Sequence, residues 1–204
     1  MDSITYQIGD NLYLNITNRC TNECTFCIRN KSQLFNQNYS LWLEREPSAL
    51  EVLAAIGDPG KYKQIVFCGY GEPLVRLETV KEILLQPAIS EARNTIKRID
   101  TNGLANIFWG KNILPELSGL VDYMSISLNA HDAATYQKIC RPFYGLPAFA
   151  AILDFIKEAK KVVPQVEISV VDLPIVDQAK CAAIAKELGV KLRIRPYYET
   201  TYTP

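Results

Sequence analysis

The sequence predicts an α/β fold built on a parallel sheet. Two observations carry this. Strand-like segments rich in β-branched and aromatic residues alternate with helix-like segments along the chain. Glycine-rich and polar stretches follow the strands, and the carboxyl ends of parallel strands are where ligands gather in open sheets and in barrels alike.

The elements run in order. "NLYLNIT" (11–17) reads as the first strand. "PSALEVLAAIG" (47–57) reads as a helix, with Pro47 near its start and Gly57 at its end. "KQIVFCG" (63–69) is a strand and "LETVKEILLQ" (77–86) a helix. "TIKRIDTNG" (95–103) is a strand, and "KNILPEL" (111–117) a short helix interrupted by Pro115. "VDYMSISLN" (121–129) is a strand, and "LPAFAAILDFIKEAKKV" (146–162) an amphipathic helix. "QVEISVVDLP" (165–174) is a strand, "DQAKCAAIAKELG" (177–189) a helix ending at Gly189, and "VKLRIRPYY" (190–198) a last strand. Six strands separated by helices imply right-handed crossovers. The pattern fits both a doubly wound sheet and an incomplete barrel. Either way "NRC", "GYGEP", "DTNG", "SLNA", "DLP" and "RPYY" meet at one mouth.

Bulk properties narrow the class. The 204 residues suit a single domain, 1–204, with a sizeable core. Lys plus Arg and Asp plus Glu are 22 each, so the net charge is zero, which disfavours nonspecific nucleic-acid binding. The start, "MDSITYQIGD", lacks a basic region followed by an apolar run, and the apolar stretches are too short to span a bilayer. Six unevenly spread cysteines do not form a secreted disulfide framework. The expectation is a cytoplasmic protein with reduced thiols, without a membrane.

Three of those cysteines dominate the chemistry. "NRCTNECTFCIRN" (18–30) sets Cys20, Cys24 and Cys27 in CxxxCxxC spacing. Structural zinc needs four ligands, and the nearest candidates for a fourth, Cys68 and His131, sit on other strand ends. Core cysteines fit poorly among Asn, Arg, Thr and Glu. A redox CxxC pair leaves Cys20 idle. The remaining option is an iron–sulfur cluster, whose usual protein ligands are thiolates. Three thiolates on a four-iron cube leave one iron open for a further ligand.

CxxxCxxC directly after a first strand, with Phe26 before the last cysteine, resembles the radical S-adenosylmethionine (radical SAM) superfamily. The resemblance covers nearly the whole chain. It implies a partial (β/α)6 TIM-like barrel of six parallel strands, one 4Fe–4S cluster and S-adenosylmethionine (SAM) on its open iron. Further motifs fall where that family has them. Gly69, Tyr70, Gly71, Glu72 and Pro73 match a Gly-x-Gly-Glu-Pro element that contacts the SAM amino group; the ordinary alternative is a βα turn. Glycines admit close backbone approach, and Glu72 with backbone carbonyls supplies acceptors for an ammonium. Asp100, Thr101 and Asn102 of "DTNG" are placed for contact with SAM or for support, and Gly103 is read as structural. Alternation puts Ser125, Ser127 and Asn129 on one face, with Ser127 and Asn129 nearest the mouth. Val171 is placed for a backbone contact to adenine. Arg195 is placed for a SAM or substrate carboxylate, or for a structural ion pair, and Tyr198 follows it. Pro196, Tyr197 and Tyr198 stand where glycyl-radical-activating members show a Pro-Tyr-His-like sequence, with Tyr198 at the place of the histidine. His131 with Asp132 is read as a helix start, the alternative being a contact with substrate. Cys181 is read as core, Cys68 as packing and Cys140 as exposed on a loop.

The implied activity is reductive cleavage of SAM to a 5′-deoxyadenosyl radical that abstracts hydrogen from a substrate, with a flavodoxin- or ferredoxin-type reductant as partner. "FCGYGEP" and "VVDLP" resemble the family described as TatD-associated radical SAM proteins. A partial barrel leaves a lateral opening suited to a large substrate such as a protein or peptide. Glycyl-radical activation is the leading subtype, with nucleic-acid-base modification as another. A metal- or cluster-bearing binding protein without turnover is the alternative class.

Overall fold

A computed structural model describes residues 3–31, 34–35 and 38–197. Seven strands form one open sheet in chain order. They are β1 (Thr5–Ile8), β2 (Asn11–Leu14), β3 (Gln64–Phe67), β4 (Ile96–Thr101), β5 (Tyr123–Ser127), β6 (Gln165–Val171) and β7 (Lys191–Arg195). Strands β2 to β7 pair in parallel. Helices α1 (Ala49–Ile56), α2 (Leu77–Leu84), α3 (Pro87–Ser90), α4 (Ala105–Trp109), α5 (Ala133–Cys140), α6 (Pro147–Val162) and α7 (Gln178–Leu188) fill the crossovers after β3 and beyond, with α1 between β2 and β3. The order matches an incomplete barrel and excludes the strand-order reversal of a doubly wound sheet.

The sheet has one strand more than the sequence reading assigned. Strand β1 runs antiparallel to β2, closing a hairpin through Gly9 and Asp10. Gly-Asp between two strand-like runs is a hairpin signal, and "TYQI" is short enough to pass for an irregular lead-in. The short helix expected at 111–117 is also revised. The chain forms α4 just before it, and Leu114–Leu117 is a single 3-10 turn opened by the Leu-Pro pair.

Sequence chemistry sets the boundaries. Ser48 and Glu51 form a reciprocal capping box at α1. Asp132 and Asp177 cap α5 and α7 by accepting backbone N–H groups of Thr135 and Lys180. The observed strands stop short of the expected ends because the last residues of each run turn out of the ladder and become the site.

Strand alternation divides the sheet into two chemically different faces. Leu12, Leu14, Ile65, Phe67, Ile99, Met124, Ile126, Ile168 and Val170 pack with the helices into one continuous core. Each such burial stabilises by roughly 1.5–3 kcal/mol. The opposite face carries Arg98, Asp100, Ser125, Ser127, Glu167, Arg193 and Arg195, which bond to one another across β4 to β7. That polar face is the concave side of the partial barrel.

Candidate functional site

The loop after β2 carries the three cysteines, and it is strapped down at both ends. Before it, Asn18 bonds the backbone of Leu43 in both directions, donating at 2.7 Å and accepting at 3.1 Å. Arg76 spans to the Ile16 carbonyl at 2.8 Å and the Pro47 carbonyl at 2.7 Å. Within it, buried Asn22 donates to the Tyr136 hydroxyl at 2.7 Å. Thr25 N–H donates to the Ile139 carbonyl at 2.8 Å, and Phe143 N–H to the Thr21 carbonyl at 3.0 Å. The loop thus rests on the carboxyl end of α5.

All three thiols are free and half-buried. Burial pushes Cys20 up to about 12, with Glu72 adding to the rise. A hydrogen bond with Cys140, then burial, raises Cys24. Burial raises Cys27. Against burial, backbone N–H groups of Asn22 and Arg29 favour the thiolates of Cys20 and Cys27. The Asn102 amide nitrogen lies 3.7 Å from the Cys20 sulfur. Donors aimed at sulfur are what a thiolate-bound cluster requires, so the donor set fits that group. Among the described residues no three His, Cys, Asp or Glu side chains converge on a point suited to one metal ion. Thiolates of a cube ligate separate irons and need not converge.

The segment after β3 abuts this loop. Gly71 is required by close approach: a Cβ there would lie 2.4 Å from the Thr17 carbonyl oxygen and 2.6 Å from that of Arg19. Gly69 likewise faces Asn15, whose Oδ1 would be 2.2 Å away from a Cβ. These glycines approach the backbone that leads into the cysteines. The Tyr70 ring is packed with Tyr6, Phe35 and Leu41 and meets Trp42 edge-on. Burial, and then the nearby Cys27, raise the Tyr70 hydroxyl. Pro73 opens a buried 3-10 turn, Pro73–Arg76. Phe26 packs partly buried against the main core.

Glu72 is 3% exposed. Its Oε1 accepts Thr101 Oγ1 at 2.8 Å and Leu74 N–H at 3.1 Å, and its Oε2 accepts Asn102 N–H at 2.6 Å. Burial raises its pKa to about 7 against these three bonds. A carboxylate has about four lone-pair sites, so one remains on Oε2. Thr101 and Asn102 therefore support: Asn102 also donates to Thr21 Oγ1 at 2.9 Å and accepts from Leu104 N–H at 3.0 Å. Asp100 lies on the concave face, paired with Arg98 at 2.6 Å. Gly103 takes φ +77° to make the turn, and a Cβ there would meet Ile126 at 2.9 Å.

Further round the mouth, Arg195 Nη2 donates to Asn129 Oδ1 at 2.9 Å and to Ser127 Oγ at 3.4 Å. Its Nε is buried and, among the described residues, has no hydrogen-bond partner. Burial, and Arg193 alongside, push its guanidinium pKa down, while Asp100, Cys68 and Cys24 oppose this. Arg195 is thus a cation with a spare donor, facing the cysteines. Asn129 adopts φ 54°, a conformation asparagine tolerates. Val171 pairs with Arg195 at the end of β6. Tyr198 lies outside the described residues.

Other expectations meet the structure as follows. His131 accepts the Asp177 N–H at 3.1 Å, tying the end of β5 to α7. Cys181 is buried in the core. Cys68 interacts with Tyr6, whose hydroxyl donates to its carbonyl at 3.2 Å. Cys140 is a correction: it is fully buried as the last residue of α5, because the helix runs on through "KIC". The network of Ser125, Glu167 and Arg193, with bonds of 2.8 Å, was missed. Its only sequence signal was charge at alternate positions of strand-like runs. A cavity of about 690 Å³ lies at the opposite, amino-terminal ends of β5 to β7 and holds none of these motifs.

Comparison with known proteins places the chain. Residues 14–188 match the family model of the radical SAM superfamily. No curated protein matches the sequence. Among solved structures, SuiB of Streptococcus suis aligns with TM-score 0.61 at 17% identity over 91% of this chain and 39% of SuiB. The FeFe-hydrogenase maturase HydG of Carboxydothermus hydrogenoformans aligns with TM-score 0.59 at 16% identity over 95% of this chain and 46% of HydG. A radical SAM methyltransferase of Sphaerobacter thermophilus aligns with TM-score 0.52 at 15% identity over 94% of this chain and 68% of that one. At these identities the likeness is one of fold, and the chain spans only 39% to 68% of these three proteins. With the match running from the end of β2, through the cysteine loop, to the last helix, the chain belongs to the radical SAM superfamily, whose enzymes bind a 4Fe–4S cluster and SAM.

Proposed function

We propose that this chain is the core of a radical SAM enzyme in which Cys20, Cys24 and Cys27 ligate three irons of one 4Fe–4S cluster. The observation that carries the reading is the trio of free thiols on a strapped loop, with N–H donors directed at the Cys20 and Cys27 sulfurs. When bound and reduced, the cluster and SAM together supply one-electron cleavage to methionine and a 5′-deoxyadenosyl radical that takes hydrogen from substrate.

The chain's own residues hold and orient. The spare Nε of Arg195 is placed for a carboxylate, with Asn129 and Ser127 fixing the guanidinium. The backbone carbonyls of the Gly69–Gly71 segment, with the remaining lone pair of Glu72, are acceptors for an ammonium. Glu72 acts chiefly as a strut, because three protein donors occupy it. Val171 offers backbone to the adenine.

The open sheet edge supports a large substrate such as a protein or peptide. The finer likeness to TatD-associated radical SAM proteins, and glycyl-radical activation as subtype, rest on "FCGYGEP" and "VVDLP". The reductant we propose is of flavodoxin or ferredoxin type. Among the described residues no helix is long and apolar enough to cross a membrane.

Anaerobic reconstitution with iron and sulfide tests the ligand assignment. The expected product is a brown protein with about four irons per chain, and each single cysteine-to-alanine variant should lose it. Stoichiometric zinc with no chromophore would instead favour the metal-binding alternative.

A further inference from the structure

The two edges of the sheet are finished differently. At β1, Phe35 and Tyr39 pack on Tyr6 with ring centroids 5.2 and 5.8 Å away, and Ser3 N–H donates to the Ser40 carbonyl at 2.7 Å. At β7 no further strand pairs among the described residues. Ile194 is 46% exposed, although Val170, its partner on β6, is fully buried. The Arg195 carbonyl accepts the Asp172 N–H at 2.8 Å, so Arg195 turns its polar backbone toward β6. Backbone direction alternates along a strand, so Leu192 and Ile194 turn theirs toward the open side.

Side-chain alternation sorts β7 by chemistry. Lys191 and Arg193 are exposed on the concave face, and Leu192 and Ile194 share the helix side. Glu167, the acid beside them, is already engaged by Arg193 and by Ser125, each at 2.8 Å. Lys191 and Lys160 also stand in the wall of the cavity of about 690 Å³ at the start of β7. Near the far end Lys31 lies over the Tyr197 ring at 5.9 Å. The whole chain has no net charge, so this edge is a local basic stripe.

Charged side chains on an edge strand guard it against unwanted pairing. Here the charge is of one sign, so it also selects. A second copy pairing antiparallel about a twofold axis through Arg193 would set that residue against itself and Lys191 against Arg195. Like charges directly opposite destabilise. A strand with acids on one face and apolar residues on the other instead meets Lys191 and Arg193 with opposite charge and covers Ile194.

We propose that the open edge of β7 binds an extended acidic segment of a protein substrate by strand addition. Its main chain bonds to Leu192 and Ile194, its acids lie beside Lys191 and Arg193, and its apolar side chains lie beside Ile194. The inference rests on the peptide-substrate reading given above and names the class of segment recognised. Because β7 ends at Arg195, on the mouth that carries the cysteine loop, a segment laid along it leads into the site.

The test is fluorescence polarisation of fluorescein-labelled acetyl-Glu-Val-Glu-Val-Glu-Val-Glu-amide, titrated anaerobically with the reconstituted full chain. The peptide should bind, and the version with lysine for glutamate should not. Methylating every backbone nitrogen keeps the side chains and removes the donors, and it should abolish binding. Lys191→Glu should weaken the acidic peptide roughly fivefold, as reversal of a cross-strand charge pair does, and should improve the lysine peptide. Equal affinity for the two peptides, binding that survives methylation, or no binding of any peptide overturns the proposal. A wild-type dimer in sedimentation that Lys191→Glu tightens gives the edge to a second copy and overturns it as well. Polarisation reads binding without turnover. Protein that takes up no iron yet binds the acidic peptide removes the functional reading and keeps the edge, whereas a loaded protein indifferent to the peptide removes this inference alone.

Discussion

The Glu72 carboxylate accepts the backbone N–H of Asn102 at 2.6 Å, joining the segment after β3 to the turn after β4. With Thr101 on its other oxygen, this buried acid fastens together two of the motifs that surround the cysteine loop.

Its titration gives the first prediction. Burial raises the folded-state pKa of Glu72 from its usual 4.5 to about 7. The folded protein therefore binds more protons than the unfolded chain between those values, and stability falls as pH rises through that window. The loss is on the order of 3 kcal/mol and is complete above about pH 7. Glu72→Gln mimics the protonated acid. Urea denaturation at pH 5 and pH 8 should show this loss in wild type and a smaller one in the variant. Equal losses would remove Glu72 as the cause.

Gly71 provides the second. A methyl group there meets two backbone carbonyls that cannot rotate away. Gly71→Ala should cost on the order of 1–3 kcal/mol, as overpacking does. Because both carbonyls belong to the run into Cys20, iron retention after reconstitution should fall as well. A variant with unchanged melting and full iron would show that the close approach is dispensable.

Tyr136 provides the third. Its hydroxyl is the acceptor for Asn22 Nδ2, and Asn22 Oδ1 has no partner among the described residues. Tyr136→Phe leaves that amide unsatisfied in a buried place, at about 1–3 kcal/mol. Denaturation midpoints, with iron counts as a second readout, check it; stability equal to wild type would mean the loop has another anchor.

Arg195 provides the fourth. Loss of a charged hydrogen bond to a carboxylate is worth about 1.5–3 kcal/mol, or roughly ten- to a hundredfold in affinity. Calorimetric titration of SAM into reconstituted Arg195→Gln should show weakening of that size. Unchanged binding would move the carboxylate elsewhere.

These residues were unequally legible. The cysteines, "GYGEP" and "DTNG" announce themselves because spacing and turn chemistry are local. So do the helices, through Pro47 and the closing Gly57 and Gly189. The roles within a motif were harder to read. Gly69 and Gly71 suggest close approach to a ligand, but they approach Asn15, Thr17 and Arg19. That distinction depends on how two loops pack. Glu167, Arg193 and Ser125 meet only because of the register among β5, β6 and β7, which no local pattern states. Cys140 looked loop-like because Arg141 and Pro142 follow it. Its place beside Cys24 depends on α5 docking under a loop 114 residues away, as Asn22 and Tyr136 show. Strand β1 went unassigned because it is only four residues long.

The central claim is that three cysteines and a spare iron position serve SAM cleavage. The most direct measurement is anaerobic incubation of the reconstituted, dithionite-reduced protein with SAM, followed by chromatography for 5′-deoxyadenosine and methionine. The account predicts both products from wild type and neither from a variant lacking Cys20, Cys24 and Cys27. A fully loaded 4Fe–4S protein that binds SAM but releases no 5′-deoxyadenosine above the variant's background would contradict it.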